Sequence, residues 1–193
     1  MIAIIDYGAG NTRSVMNALD RLDVSYELTD EKSKILGSDK VIFPGVGHAR
    51  HAMESLKQRK LIEIIKAIKQ PLLGICVGMQ LLFDRSEEGD TECLGIVKGV
   101  VTKFNDNNVI VPQMGFNTNT LSDNLLFKGL AKSTYLYAVH SYRAEVCDHT
   151  IATSDYDGQY ASAVQIDNFY GVQFHPEKSS KAGQLILKNF LEL

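Results

Sequence analysis

The sequence predicts a three-layer α/β fold, with a mostly parallel central sheet and antiparallel strands added in its second half. In the first half, short and continuously apolar runs alternate with segments whose apolar residues recur at helical spacing. Apolar runs without polar alternation suit strands covered on both faces, which is the pattern of a parallel sheet sandwiched by helices. Beyond residue 95 the runs shorten, often alternate and are bounded by turn residues, as antiparallel pairs require. A chain of 193 residues fits one domain, spanning 1–193.

Each element follows from its residues. Residues 2–5 are all apolar and form the first strand; a glycine turn leads to a helix over 11–22, with Val15, Ala18, Leu19 and Leu22 on one face. A second strand covers 24–28. A third covers 41–43 and runs into Pro44-Gly45-Val46-Gly47, followed by a helix over 52–68. The strand 72–75 ends at Cys76 and hands over to a helix over 77–83. Later strands are expected over 100–104, 108–111, 134–139, 151–154, 161–166 and 170–174. A terminal helix over 179–191 buries Ala182, Leu185, Ile186 and Phe190.

Composition excludes several classes. Twenty Lys and Arg against 23 Asp and Glu leave no basic footprint for nucleic acid. The longest mostly apolar stretch, 71–83, contains Gln80 and falls short of the ~20 residues that span a bilayer. The first residues lack a basic export signal, and three cysteines without a C-x-x-C pair suit a reducing compartment, so a cytoplasmic location is expected.

The sharpest chemical signal is Gly74-Ile75-Cys76-Val77-Gly78-Met79-Gln80, a cysteine between strand and helix with a glycine two before and two after. This is the arrangement of a nucleophile elbow, where small neighbours let the turn tighten and the next amide, Val77, can face an oxyanion. The helix start beside it is expected to favour the thiolate. Taken alone, a buried structural cysteine reads equally well. The second signal is His175-Pro176-Glu177 after the apolar run 170–174. In an extended segment residues two apart share a side, so imidazole and carboxylate would lie together, Glu177 orienting His175 as base for Cys76. Carboxyl ends of parallel strands are where such folds place their sites.

With these motifs the sequence resembles the class I, triad-type glutamine amidotransferases over essentially its whole length. The elbow is matched by Gly74 to Gln80 with Leu81-Leu82-Phe83, and the triad by Cys76, His175 and Glu177. Narrower matches are Asp6-Tyr7-Gly8-Ala9-Gly10-Asn11, Pro44-Gly45-Val46-Gly47, Val139-His140-Ser141-Tyr142 and Gln173 to Ser179. Val46 in place of a second glycine favours the subfamily that feeds a cyclase of histidine biosynthesis over anthranilate, aminobenzoate or pyridoxal phosphate glutaminases. Three positions depart from the usual pattern: Gln113 stands for His, Phe116 for Trp and Val77 for Leu.

The resemblance implies hydrolysis of L-glutamine through a thioester on Cys76, with no cofactor and no metal. Oxyanion donors would be Val77 and either Val46 or Gly47. Gly47, Gln80, Ser141 and Tyr142 would hold the substrate, although Gln80 also reads as a plain helix residue and Ser141-Tyr142 as a plain strand pair. Phe116, Tyr137 and Lys178 would face a (β/α)₈-barrel cyclase partner, to which ammonia would pass; Lys178 also reads as a solvated lysine. Free protein would then be a poor glutaminase.

Competing readings are weaker. His48-x-x-His51 lacks further metal ligands, Arg13 occupies the third-glycine place of a dinucleotide loop, and an α/β-hydrolase would place its acid before its histidine. A glutaminase serving a sugar-modifying synthetase, and a noncatalytic scaffold of the same fold, remain as alternatives. The chain's length leaves no room for a synthase domain, which points to a separate partner.

Overall fold

A computed structural model describes residues 1–8 and 12–193. The expected glycine turn and the motif residues Ala9, Gly10 and Asn11 lie outside the described residues. The first half cycles through β1 (Ile2–Ile5), α1 (Thr12–Asp20), β2 (Tyr26–Thr29), α2 (Lys32–Leu36), β3 (Lys40–Gly45), α3 (Ala49–Gln58), α4 (Ile62–Lys66), β4 (Leu72–Cys76) and α5 (Val77–Gln80). The second half holds β5 (Arg85–Ser86), β6 (Thr91–Glu92), β7 (Val100–Lys103), β8 (Gln113–Leu121), β9 (Ser133–His140), β10 (Tyr142–Ala144), β11 (Thr150–Asp155), β12 (Gln159–Ile166), β13 (Phe169–Val172) and α6 (Ser180–Glu192).

Strands β2, β1, β3, β4 and β13 lie side by side and parallel, while β12, β10 and β7 continue the sheet antiparallel. β8 and β9 form a long antiparallel ribbon joined through β11 to β12. One late pair, β5 with β7, is parallel. Every residue of β1, β4 and β13 is buried, as their unbroken apolar runs require. Register fixes the site: Gly45 of β3 stands opposite Cys76, and Val172 of β13 opposite Ile75. The carboxyl ends of three adjacent strands therefore converge.

Three expected elements are corrected. The helix expected over 52–68 is two helices, because Lys60 adopts φ +58° while the Leu61 amide bonds Leu56 O at 2.9 Å and the Lys60 amide bonds Lys57 O at 3.1 Å. This helix-ending motif normally uses glycine, and its lysine hid it. The helix over 77–83 is a single turn; the amides of Leu94, Gly95, Ile96 and Val97 capture the carbonyls of Leu81, Phe83 and Leu82. Residues 108–111 are not a strand, since Asp157 accepts from the Asn105 amide and the Asn108 side chain and holds them in a turn. The chain instead resumes as β8, whose Gly and Asn content disguised it.

Candidate active site

Cys76 closes β4 with φ +54° and ψ −111°, a conformation that L side chains rarely adopt. Its neighbours explain how the chain reaches it. A Cβ on Gly78 would stand 2.0 Å from the Phe43 carbonyl oxygen, and one on Gly45 would stand 2.3 Å from the Gly78 nitrogen. Glycine at both places lets α5 press directly on β3, so the turn can be sharp and the sulfur is presented at the strand ends. Because α5 has only one turn, the amides near Cys76 act as individual donors with few aligned dipoles behind them.

His175 follows β13 in extended conformation, and Pro176–Lys178 then form a 3-10 turn. The expected extended His-x-Glu segment is thus corrected: the turn, with proline fixing its first φ, folds Glu177 back onto the ring. The pairing itself is present, with Nδ1 of His175 2.8 Å from Oε1 of Glu177. A carboxylate only accepts, so Nδ1–H donates and Nε2 carries the lone pair in the neutral ring. Nε2 is buried and has no partner among the described residues. Burial alone would lower the His175 pKa, but the nearby Cys76 and the hydrogen bond and negative charge of Glu177 outweigh it and raise the pKa to about 10. The backbone is laced in place too: the His175 amide bonds Tyr137 O at 2.8 Å, while Ser179 Oγ donates to His175 O and accepts from the Tyr137 amide.

Cys76 and His175 share a cavity of about 280 Å³ with Val46, Gly47, Val77, Gln80, Glu88, Pro112, Val139, His140, Ser141, Tyr142 and Lys178. Every sequence-expected triad, oxyanion and substrate residue except the buried Glu177 lines it directly. Gly47 has φ +93° with open space around its α-carbon. Just upstream, the buried Tyr7 hydroxyl donates to Pro44 O at 2.9 Å and anchors the end of β3. Gln80 is buried and donates through Nε2 to Tyr142 O at 3.0 Å and to Gln173 Oε1 at 2.9 Å, which leaves its own Oε1 for a ligand. His140 also directs Nδ1 at Tyr142 O, at 2.8 Å, and burial lowers its pKa to about 4, so it is neutral near pH 7.

Glu88 went unnoticed in the sequence because it lies in a polar loop without a motif. Its carboxylate accepts from the Ala49 amide at 2.7 Å, tying the start of α3 to the cavity wall. Phe116, Tyr137 and Lys178 meet on the outer face of the β8–β9 ribbon: the two rings lie edge to face at 5.6 Å, and Lys178 Nζ stands 5.8 Å from the Tyr137 ring centre. Exposed Met114 and Tyr135 extend that face. The His48 and His51 rings lie 5.0 Å apart and tilted at a helix start, where His48 accepts from the Arg50 amide. Among the described residues, no three His, Cys, Asp or Glu side chains gather as a metal site, and no helix is long and apolar enough to cross a membrane.

An elbow cysteine, a carboxylate-held histidine and a shared cavity at the ends of parallel strands are the parts that a thiol-dependent acyl-transfer enzyme needs. The sequence profile of the family described as "Glutamine amidotransferase class-I" matches residues 3–193, and the chain belongs to that family. It is 47% identical over its whole length to a Bacteroides fragilis protein named imidazole glycerol phosphate synthase subunit HisH, covering 99% of that protein. The Haemophilus influenzae protein of the same name is 45% identical, with 99% of this chain and 96% of that protein aligned. Among solved structures, a glutamine amidotransferase superposes with a TM-score of 0.75 at 17% identity, over 100% of this chain and 98% of that one. The glutaminase domain of Trypanosoma brucei CTPS, with bound acivicin, gives 0.64 at 18% identity, over 99% and 93%. These two likenesses concern the fold.

Proposed function

We propose that this chain is the glutaminase subunit of an imidazole glycerol phosphate synthase, hydrolysing L-glutamine and passing ammonia to a cyclase subunit. The observation that carries the chemistry is the buried Cys76 sharing a cavity with the unpartnered Nε2 of a histidine held by Glu177. Full-length likeness to proteins named for that synthase supports the choice of pathway over a sugar-modifying one. An intact triad argues against a scaffold.

In the proposed reaction the Cys76 proton resides on His175, whose raised pKa favours the charged ring beside a thiolate, and Sγ attacks the side-chain amide carbon of glutamine. The amides of Val77 and of Val46 or Gly47 receive the oxyanion. His175 then protonates the nitrogen as the C–N bond breaks, releasing ammonia and leaving a γ-glutamyl thioester. Water, deprotonated by His175, attacks the thioester; glutamate leaves and the thiol is restored. Glu177 fixes the imidazole tautomer and stabilises its charged form. Gln80 Oε1 and the Glu88 carboxylate are acceptors suited to the substrate ammonium, while Ser141, and the Gly47 amide where Val46 takes the oxyanion, are donors suited to its carboxylate.

Phe116, Tyr137 and Lys178 form the proposed contact with a (β/α)₈-barrel cyclase. Because Gly47 stands in open space at a glycine conformation, the oxyanion strand has room to turn its peptide. Partner binding would set that peptide, so the free chain should be a poor glutaminase. A cytoplasmic location accords with the free thiols of Cys76, Cys93 and Cys147. The test is glutamine-dependent formation of imidazole glycerol phosphate by the chain with its cyclase partner, together with ammonia release by the chain alone. Cyclisation that proceeds with free ammonia but never with glutamine would refute the proposal.

A further inference from the structure

Gln173 is fully enclosed, beside the nucleophile, and has no part in the triad. Its side-chain orientation follows from a chain of hydrogen bonds that starts at a group unable to reverse. The Tyr142 carbonyl oxygen can only accept, and it lies 3.0 Å from the Gln80 amide, so that amide must present its nitrogen there. The same Nε2 lies 2.9 Å from the Gln173 amide, and its second N–H therefore demands an acceptor, Gln173 Oε1. Gln173 is thereby fixed with Nε2 on its far side, where it stands 3.7 Å from Cys76 Sγ. The other polar neighbour of the sulfur is the Val139 carbonyl at 3.9 Å, which suits a thiol proton and opposes a thiolate.

We infer that Gln173 supplies a hydrogen bond to the Cys76 thiolate, and that Gln80 is a positioning residue which locks Gln173 in the donating orientation. This deepens the proposed function and rests on it. When the proton leaves for His175, the sulfur loses its bond to Val139 O and keeps an N–H donor whose bond strengthens with the negative charge. Gln80 and Gln173 are each almost fully buried, so water cannot replace either donor at low cost. The Tyr142 carbonyl links this relay to the cavity wall, so the nucleophile and the substrate pocket are held by one set of bonds. The titratable groups around Cys76 are His175, with Glu177 behind it, Tyr7 bonded to the end of β3, and His140, Tyr142, Glu88 and Lys178 lining the cavity. Substituting Gln173 leaves all of them in place.

The test is iodoacetamide labelling of the Cys76 peptide, followed by mass spectrometry from about pH 5 to pH 9, on the full chain with and without its cyclase partner. Gln173→Met and Gln173→Leu remove the donor while filling the space. At pH 7 each should label about tenfold more slowly than the parent, with the rate profile displaced to higher pH. Gln80→Leu should give a smaller displacement of the same sign. The final extent of labelling reports the folded fraction, so a partly unfolded variant still yields the profile of its folded molecules. A Gln173→Met profile that superimposes on the parent overturns the relay. Failure of the function reading has a different signature, either no preferential labelling of Cys76 in the parent or full ammonia release by Cys76→Ser.

Discussion

Gly78→Ala puts one methyl group into the contact that shapes the elbow. An ideal Cβ at residue 78 would lie 2.0 Å from the Phe43 oxygen and 3.1 Å from its carbonyl carbon, whereas ordinary contact begins at 3.4 Å. The obstructing atoms are backbone of β3, hydrogen-bonded on one side to β1 and on the other to β4, so they cannot rotate aside. α5 and β3 must separate by more than an ångström at that point. Overpacking of this kind costs about 1–3 kcal/mol. For a chain of this size that corresponds to a fall of roughly 2–12 °C in thermal midpoint. Because Cys76 and the Val77 amide ride on the displaced turn, kcat/KM for glutamine should fall about 10²-fold even where the variant is fully folded. Paired thermal melts and ammonia-release kinetics, taken with the cyclase partner present, check both numbers. A variant within a degree of the parent and within twofold in kcat/KM would show that α5 is not wedged against β3.

Other perturbations probe other parts of the site. His140 is held at about 4 against 6.5 when unfolded, so its neutral burial contributes fully above pH 6.5 and is lost as pH falls through 4; this is about 3 kcal/mol. Urea midpoints should show that loss in the parent and a flatter acid limb in His140→Phe. His175 has the opposite sign: its pairing is fully stabilising below pH 6.5 and fades as pH rises through about 10. Glu177→Gln should weaken this alkaline dependence and lower kcat about 10²-fold or more, read from stability and rate profiles together. Glu88→Gln should raise KM for glutamine by roughly 10-fold through the lost ammonium contact, with a smaller effect on kcat, measured by initial rates.

The parallel half of the fold was legible because strands buried on both faces carry an unbroken apolar signature. Ile2–Ile5 and Leu72–Cys76 are examples. The long β8 was illegible because Gln113-Met-Gly-Phe-Asn-Thr-Asn-Thr-Leu121 pairs through its backbone with β9 and β11, and such pairing leaves little trace in residue type. The break at Lys60 was hidden for a related reason, since a residue other than glycine took the left-handed position. At the candidate site, local motifs pointed to Cys76, His175 and Glu177, which the fold brings together. The supporting contacts span long sequence distances: Glu88 reaches Ala49, Gln80 reaches Tyr142 and Gln173, and Ser179 reaches Tyr137. No window of neighbouring residues contains such pairs. The side-by-side placement of His175 and Glu177 was anticipated for the wrong backbone, an extended segment in place of a 3-10 turn.

The central claim is that Cys76 carries the γ-glutamyl group during turnover. Rapid acid quenching of the chain with its cyclase partner at saturating glutamine, followed by mass spectrometry of the Cys76 peptide, tests it directly. The account predicts a γ-glutamyl adduct confined to Cys76, absent in Cys76→Ser and trapped at a higher level when hydrolysis is slowed. Parent-like ammonia release by Cys76→Ser, or an adduct on Cys93 or Cys147 instead, would contradict it.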